Sequence, residues 1–364
     1  MKLDGRIGVP SANAGPTAWM DQAASGAAAL EAASYSGAWT VELTHDPFLP
    51  LVVAAEHTET IDLGTAIAVA FARNPMTLAN TSWDLQAWSK GRFKLGLGTQ
   101  IRAHITNRFS MPWSKPAARM NEMVRAMRAI WESWETGEPL AFRGDFYRHT
   151  LMTPMFSPGP NPYGPPPIHM AGVGNLMTET AGEVADGWMS HGFTTPSYLR
   201  EVSLPALQRG AQKSGRDPKS IEVSLPLFLV TGANEEEMAA SAKAVRRQIG
   251  FYGSTPAYRP VLEHHGWAGA QEELNWMSKQ GKWDKMAEVI DDTMLNTFAV
   301  VAEPHDLAEK VAASVGGLVD RLTLNTGTDN GLSNPANNED SPNTANLWAE
   351  VCEALRAVPT RSTT

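Results

Sequence analysis

The sequence predicts an α/β fold, a TIM (β/α)8 barrel with insertions, and three observations carry that prediction. Short apolar segments alternate with longer segments of helical character over most of the 364 residues. The strand-helix unit repeats about eight times, which is the number found in this barrel. A helix separates each strand from the next, which also fits a doubly wound open sheet, but such sheets more often contain about five or six strands. The count therefore favours the closed barrel.

The predicted strands are short apolar runs bounded by glycine, proline or charged residues. The clearest begins at Ile61 and leads through a turn at Arg73-Asn74-Pro75 into a helix and a second strand, which ends in Gly-Leu-Gly-Thr-Gln at Gln100. This is a β-α-β unit, and the rest of the chain repeats it. The eight predicted strands are Arg6–Pro10, Gly37–Glu42, Ile61–Val69, Arg92–Leu97, Ile168–Ala171, Gly187–Ser190, Ile221–Val230 and Asp320–Leu324.

The predicted helices carry apolar residues three and four positions apart, so that one face is buried. In the fourth helix, Met120, Met123 and Met127 follow this spacing. In the second, Asp46 is expected to be the N-cap and Pro47 the first helical residue, where no N–H is needed. The predicted helices are Thr17–Ala33, Asp46–Glu59, Met76–Ser89, Lys115–Trp134, Asn175–Ala185, Pro196–Ser214, Glu235–Gln248, Pro304–Val315 and Thr344–Ala357.

We expect a single barrel domain over residues 1–364, interrupted by three segments that do not follow the repeat. Residues 136–167 form a Pro-rich insertion, with Gly144–Tyr147 expected at a hairpin tip and seven prolines in its second half that favour an extended chain. Residues 251–300 predict a helical insertion or lid within the barrel. Residues 326–345 predict a polar loop, because glycine, asparagine and serine dominate them.

Composition limits the class of protein and its partners. Hydrophobic residues make up 43% and charged residues 19%, which is typical of a soluble enzyme with a sizeable core. The net charge is −9 and no Lys/Arg cluster occurs, so no nucleic-acid partner is expected. The N-terminus lacks the features of a signal peptide, and no apolar segment is long enough to span a membrane, so we expect a cytoplasmic protein without a membrane partner. The single cysteine, Cys352, excludes an intramolecular disulfide.

Active sites of such barrels are built at the carboxyl ends of the strands, which narrows the search for chemistry. His45 follows the second strand and is a candidate general acid or base, although a polar residue leading into a helix would look the same. The other candidates are Glu42, Thr44 and Asp46 after the second strand, Ala66–Phe71 and Arg73 after the third, Thr99, Gln100, Arg102 and His104 after the fourth, Gly172–Asn175 after the fifth, and His191 after the sixth.

Several of these motifs have two interpretations. Gly172-Val173-Gly174-Asn175 is either an anion cradle at a helix N-terminus or a tight turn, and the motif alone does not separate them. Arg102 and His104 either hold an anionic group or lie on the surface. No histidine pair has the spacing of a zinc site, so no metal is expected. Of the twelve tryptophans most should be core residues, but Trp113, Trp188 and Trp267 lie near loop ends and could line an apolar pocket.

Six motifs along the chain belong together: Leu63-Gly64-Thr65-Ala66-Ile67, Arg73-Asn74-Pro75, Gly91-Arg92-Phe93, Leu95-Gly96-Leu97-Gly98-Thr99, Pro167-Ile168-His169-Met170-Ala171-Gly172 and Ala181-Gly182-Glu183-Val184-Ala185-Asp186-Gly187-Trp188. In combination they resemble the bacterial luciferase-like superfamily, and the resemblance covers nearly the whole chain. Two further motifs, His45-Asp46-Pro47-Phe48 and Met111-Pro112-Trp113-Ser114, resemble its branch that uses the deazaflavin coenzyme F420.

The resemblance implies an F420-dependent oxidoreductase that transfers a hydride between the coenzyme and a small-molecule substrate, which the tryptophans and methionines suggest is bulky and apolar. It implies a cis peptide at Ala66–Ile67 behind the ring, a phosphate-binding loop after the fifth strand, and a homodimer. The implied cofactor-binding residues are Ala66, Ile67, Thr99, Gln100, Gly172, Val173, Gly174 and Asn175.

The resemblance also implies catalytic residues and leaves alternatives open. His45 is the first candidate for the proton that accompanies hydride transfer and Glu42 the second, although His45 matches the family histidine only approximately. Ile101 stands where the glucose-6-phosphate dehydrogenase branch has a glutamate, which disfavours sugar phosphate oxidation. One alternative is an FMN-dependent monooxygenase on the same barrel. The other is a non-catalytic flavin- or ligand-binding relative.

Overall fold

The computed structural model describes residues 1–7, 15, 17–326 and 350–363, and its centre is a closed ring of parallel strands. The strands are β1 Lys2–Arg6, β2 Gly37–Thr40, β3 Asp62–Thr65, β4 Ala68–Val69, β5 Phe93–Gly98, β6 Phe142–Arg143, β7 Arg148–His149, β8 Ile168–Ala171, β9 Gly187–Met189, β10 Glu222–Val230, β11 Ala299–Val301 and β12 Arg321–Asn325.

Eight of these strands form the ring, in the order β1, β2, β3, β5, β8, β9, β10 and β12, and the pairing of β12 with β1 closes it. Every pair in the ring is parallel. The predicted TIM barrel is therefore confirmed, and the open doubly wound sheet is excluded. The short β4 pairs with β5, and β6 and β7 form the antiparallel hairpin predicted around Gly144–Tyr147.

Helices follow the ring strands and cover the outside of the barrel. They are α1 Ala18–Ala32, α2 Leu49–Glu56, α3 Pro75–Trp88, α4 Pro116–Thr136, α5 Asn175–Val184, α6 Pro196–Tyr198, α7 Leu204–Lys213, α8 Glu235–Gly253, α9 Arg259–His264, α10 Ala268–Lys279, α11 Asp292–Phe298 and α12 Leu307–Val315. Residues 350–356 are also helical, which accounts for the described part of the predicted closing helix. Among the described residues, no helix has the length and apolar character that crossing a membrane requires.

Two predicted elements begin at the wrong place. The first strand is predicted at Arg6–Pro10, but the structure has it at Lys2–Arg6. The inward positions of this strand carry charged side chains, so it does not show the apolar pattern by which strands are predicted. Residues 8–14 lie outside the described part. The second helix was expected to start at Asp46 but begins at Leu49. The Asp46 carboxylate instead accepts the N–H groups of Phe48 at 2.8 Å and Leu49 at 3.3 Å, which closes a turn ahead of the helix.

The predicted strand Ile61–Val69 is interrupted, and one strand was missed. A break at Ala66–Ile67 separates β3 from β4. The segment 251–300 is mostly helical as expected, but it ends in β11, which pairs with the last residues of β10. An apolar run of three residues directly after a helix gives no alternation from which a strand could be predicted. The polar loop predicted at 326–345 lies outside the described residues, apart from Thr326.

The amino-terminal end of the barrel is filled by a network of paired charges. Arg321 is completely buried, and its guanidinium donates to Asp4 at 2.6 and 2.8 Å and to Asp62 at 2.8 Å. Glu222 lies 3.4 Å from the same group. Burial alone would lower the pKa of Arg321, but the carboxylates, Asp4 first, raise it above its ordinary value. The interior at this end is therefore filled by an arginine whose charge is neutralised by carboxylates of the same chain.

A second hydrophobic core lies beside the main one, where the segment 251–300 packs on the carboxyl end of the barrel. Phe193 and Phe228 come from the barrel, and Leu274 and Phe298 from the segment. The ring of Phe193 packs against the ring of Phe298 with centroids 4.7 Å apart. The segment is therefore fixed to one side of the barrel mouth by apolar contacts.

Candidate active site

The loops at the carboxyl ends of the ring strands bring most of the predicted site residues to one end of the barrel. Their side chains differ in how much of their surface is exposed. Glu42 and Gly172 are buried, Ala66, Ile67, Val173, Thr99 and Gln100 are partly exposed, and His45, Gly174 and Asn175 are exposed.

The break between β3 and β4 is held on both sides by hydrogen bonds. The Ala66–Ile67 peptide is cis, as the resemblance implies. Before the break, the Thr65 hydroxyl donates to the Gly96 carbonyl at 2.7 Å and accepts the Gly96 N–H at 3.0 Å. After it, the Val69 N–H donates to the Glu42 carboxylate at 2.7 Å. The partly exposed pair Ala66–Ile67 is therefore presented at a fixed position.

Glycines on β5 make room for this break. A side chain at Gly98 would place its Cβ 2.8 Å from the Ile67 side chain, and one at Gly96 would meet the Thr65 carbonyl oxygen at 1.7 Å. Only glycine leaves enough space at these two positions, because real Cβ atoms do not approach other heavy atoms so closely. The Gly96-Leu97-Gly98 motif, which the sequence favours as a turn, lies within strand β5 instead.

Glu42 belongs to a charged network rather than to an open pocket. Its carboxylate accepts from the Arg73 guanidinium at 2.6 Å as well as from the Val69 N–H. Arg73 also donates to Asp46 at 3.0 Å and lies over the Phe48 ring. A carboxylate that is held by a guanidinium and a backbone amide stabilises the ends of β2 and β4, which is a positioning role.

His45 lies at the exposed edge of the barrel mouth. Its ring stacks on the indole of Trp19 from α1, with centroids 4.7 Å apart and planes inclined by 7°. The ring is therefore oriented by stacking, although the residue as a whole is exposed. No spacing along the chain predicts this contact, because the two residues come from different β-α units.

Thr99 and Gln100 form a tight turn after β5. Gln100 has a φ of 60°, and its side-chain oxygen accepts the N–H of Ile101 at 3.0 Å. The Thr99 hydroxyl donates to the Gln100 carbonyl at 3.1 Å. Arg102 and His104, in the following loop, are exposed.

The loop Gly172–Asn175 leads directly into helix α5. Gly174 is the N-cap residue, and a Cβ built on it would meet nothing within 4 Å. Its carbonyl accepts the N–H groups of Met177 and Thr178, both at 3.0 Å. Among the described residues, the N–H groups of Asn175 and Leu176 have no backbone acceptor. Open space and free donors at the positive end of a helix fit an anionic group.

The three tryptophans expected at a pocket have different positions. Trp188 is 1% exposed and belongs to the core, so it cannot line an open pocket. Trp113 is partly buried and packs edge-to-face on Phe71, with centroids 5.6 Å apart. Trp267 is partly buried and stacks on His265 at 4.7 Å, beside the second core.

His191, a candidate because it follows a predicted strand, lies among aromatic rings at the barrel mouth. It follows β9, and its ring packs against Tyr252 and Tyr258 with centroids 4.6 and 4.5 Å apart. Its Nδ1 accepts the N–H of Phe193 at 3.0 Å, so the neutral ring carries its proton on Nε2. Burial lowers the pKa of His191 to about 4, which keeps the ring neutral at pH 7. Its place directly after a predicted strand was the only signal in the sequence.

The family described as luciferase-like monooxygenase matches residues 8–321, from just after β1 to the first residue of β12. This is well over half of the chain. The chain belongs to the luciferase-like monooxygenase family. The resemblance drawn from the sequence motifs is thereby confirmed.

Two curated proteins and one solved structure illustrate the range of similar proteins. An uncharacterised protein of Mycobacterium tuberculosis is 54% identical over 322 residues, which cover 88% of this chain and 92% of that protein. The 5,10-methylenetetrahydromethanopterin reductase of Methanolobus tindarius is 27% identical over 269 residues, covering 73% and 77%. The coenzyme F420 dependent tetrahydromethanopterin reductase from Methanopyrus kandleri has a TM-score of 0.71 at 17% identity, covering 100% and 99%. At that identity the likeness shows the fold alone.

Proposed function

We propose that this luciferase-like protein is an oxidoreductase that transfers a hydride between coenzyme F420 and a bulky, largely apolar organic substrate bound in the barrel mouth. The observation that carries the proposal is the break at Ala66–Ile67, which hydrogen bonds from Thr65 and Glu42 hold in place from both sides. A relative named as a reductase and a similar structure named as F420-dependent support it.

The proposed ring site is a wall of small or turn-forming residues. Ala66 and Ile67 would contact the back of the ring, and a small side chain at Ala66 permits close approach. Thr99 and Gln100 would lie at the ring edge, where the turn after β5 fixes their positions. These four residues are all partly exposed, so they are accessible to a bound ring.

The proposed phosphate site is the loop before α5. Gly172 and Val173 lead the chain to the helix, and the free N–H groups of Asn175 and Leu176 would donate to phosphate oxygens. Gly174 leaves the approach open, because no atom lies within 4 Å of where its Cβ would be. The residues present therefore fit the phosphate of such a coenzyme.

Bound F420 would supply the carbon that donates or accepts the hydride, and the chain supplies orientation, exclusion of water and a proton. His45 is the proposed proton donor or acceptor, because its exposed imidazole is oriented at the barrel mouth by stacking on Trp19. Glu42 is proposed as a positioning residue, since its carboxylate is already held by Arg73 and Val69.

An FMN-dependent monooxygenase is the second candidate, and the name of the family favours it. Both coenzymes carry a phosphate and a tricyclic ring, so the same loop and the same wall fit either. The nature of the coenzyme therefore has to be measured.

The test is a pair of binding titrations, with F420 and with FMN, followed by visible absorbance and tryptophan fluorescence. We expect tight binding of F420 and weak binding of FMN. Gly174→Glu should weaken F420 binding at least about tenfold, because a carboxylate repels the phosphate. Gly269→Glu is the matched control, since that glycine also has open space around it but lies on α10. Tight FMN binding without F420 binding would establish the second candidate, and binding of neither would indicate a non-catalytic relative.

A further inference from the structure

Arg6 lies inside the barrel, and among the described residues none forms an ion pair with it. Side chains two residues apart on a strand share a face, so Arg6 lies on the same interior face of β1 as Asp4, one layer closer to the mouth. Asp4 pairs with Arg321. Across residues 1–7, 17–326 and 350–363, no ion pair or hydrogen bond involves the Arg6 guanidinium.

A cation inside a barrel without a paired carboxylate is unusual, because removing its charge from water costs free energy, which a nearby negative charge would offset. Burial lowers the pKa of Arg6 to about 10, so the group stays charged at neutral pH. The residue is nevertheless partly exposed to solvent. A cation on the interior face of a barrel strand that is partly exposed is within reach of a ligand that enters the barrel mouth.

The neighbours of Arg6 are neutral donors and aromatic rings. His191 and Tyr252 lie close enough to Arg6 to interact electrostatically with its charge. The His191 ring has its Nε2–H free among the described residues, because Nδ1 accepts from Phe193. Burial raises the pKa of Tyr258 well above its usual value, so that hydroxyl also stays protonated. None of these groups can neutralise the guanidinium.

The aromatic rings form an apolar wall beside the charge. Tyr258 stacks on His191 at 4.5 Å and on Phe193 at 5.7 Å, with planes inclined by 29° in each case. Tyr252 packs against Phe228 at 6.4 Å. His191, Tyr252 and Tyr258 are partly exposed, so these rings can contact a bound molecule.

We propose that Arg6 and the His191 Nε2–H bind the carboxylate of an organic substrate whose apolar or aromatic body packs on the rings of Tyr252 and Tyr258. This substrate class rests on the proposed function, because it places the carboxylate site beside the coenzyme in the same mouth. An arginine fork matches a carboxylate in two parallel hydrogen bonds, which explains why an arginine and not a lysine is suited to this position.

The test uses benzoate and benzamide as probes, which have the same shape but differ in charge. Isothermal titration of the wild-type protein should show benzoate binding at least about tenfold more tightly than benzamide, because a hydrogen bond to a charged group is stronger. Arg6→Gln should remove this preference, and Arg6→Lys should keep part of it. Arg125→Gln is the control, since Arg125 is exposed on α4 and should leave the preference unchanged.

Thermal unfolding provides a second measurement. Arg6→Gln should unfold at a higher Tm than the wild type, because it removes an uncompensated buried cation, and benzoate should raise the Tm of the wild type but not of this variant. Equal binding of benzoate and benzamide, or a preference that survives Arg6→Gln, would overturn the proposal.

The same variants are titrated with F420 in the absence of benzoate. If the wild type binds no F420 but prefers benzoate through Arg6, the proposed function fails and the carboxylate site stands. If Arg6→Gln loses F420 affinity and keeps the benzoate preference, the anionic oxygen belongs to the coenzyme, and the assignment to a substrate is overturned.

Discussion

Two arginines lie in the barrel interior, Arg321 at the amino-terminal end and Arg6 towards the mouth, and they differ in whether carboxylates pair with them. Arg321 is completely buried and paired with Asp4, Asp62 and Glu222. Arg6 is two residues from Asp4 on the same strand, yet no carboxylate in the described part of the chain pairs with it. At the amino-terminal end, carboxylates of the described residues neutralise the buried guanidinium. Towards the mouth, the guanidinium is available to a ligand.

The paired arginine contributes to stability, whereas Arg6 is available for binding a ligand. A compensated network gives the barrel a rigid closed end, whereas an uncompensated cation lowers stability and is retained where a ligand pays that cost. Variants at one end of the barrel, each paired with a control variant, should therefore affect either stability or binding.

The largest effect is expected from Asp4→Asn. This variant removes the charge that is paired most closely with the buried Arg321 and turns an amide NH2 towards the guanidinium, so the free energy of unfolding should fall by about 3–5 kcal/mol, measured by urea denaturation. Lys2→Ala removes a half-exposed ion pair to Glu222 at the same end and should cost less than about 1 kcal/mol. Equal losses in the two variants would mean that Arg321 does not depend on its compensation.

At the mouth, His45→Ala should lower turnover by roughly 100-fold while leaving F420 affinity almost intact, since proton transfer by a side chain contributes on the order of 10²–10⁴-fold. His57→Ala, an exposed histidine on the outside of the barrel, should have no effect. Steady-state kinetics with F420 and a substrate found by screening carboxylates measures the change. Unchanged turnover would remove His45 from the mechanism.

Each end also contains one histidine whose pKa is lowered by desolvation, which makes stability depend on pH: His169 is buried, and His191 is partly exposed at the mouth. Burial lowers the pKa of His169 to about 3 and that of His191 to about 4. An unfolded histidine has a pKa of about 6.5, so below that pH the unfolded state binds more protons than the folded state. The free energy of unfolding should therefore be highest above pH ~6.5 and should have fallen by about 2 kcal/mol per histidine at pH ~5.

Single variants assign this loss to one end of the barrel. His191→Phe should remove part of the decrease between pH ~7 and pH ~5, and His305→Gln, which changes an exposed histidine, should remove none. Glu222 does not interfere in this window, because Arg321 holds its pKa near about 2 despite burial. A pH dependence that His191→Phe leaves unchanged would show that this ring is not buried in the neutral form.

The smallest effect is expected from Glu42→Gln. The amide oxygen still accepts the Val69 N–H, but the ion pair with Arg73 is lost, so the wall around Ala66–Ile67 should be held less firmly and F420 affinity should fall about tenfold. Asp46→Asn loses the longer and more exposed contact to the same arginine and should change affinity less. A fall in turnover with unchanged affinity would instead make Glu42 the proton group.

Most of the barrel could be predicted from the sequence because its strands are short apolar runs with clear boundaries, as at Ile168–Ala171. The first strand could not, because Asp4 and Arg6 point inward and are charged. The strand β11 could not, because three apolar residues after a helix carry no pattern. The misplaced start at Asp46 reflects a side chain that caps a turn in place of a helix.

The site was predictable only where local motifs define it. The break at Ala66–Ile67 and the loop before α5 lie in contiguous motifs that resemble a known family. The pairing of Glu42 with Arg73, and the cluster of Arg6 with His191, join residues from distant β-α units. No spacing along the chain indicates such contacts, because they exist only after the barrel has closed.

The most direct test of the proposed function is a crystal structure of the protein with F420. We expect the ring of F420 to lie against Ala66–Ile67 and its phosphate to accept hydrogen bonds from the N–H groups of Asn175 and Leu176. A ring bound away from Ala66–Ile67, or a phosphate bound away from the start of α5, would contradict it.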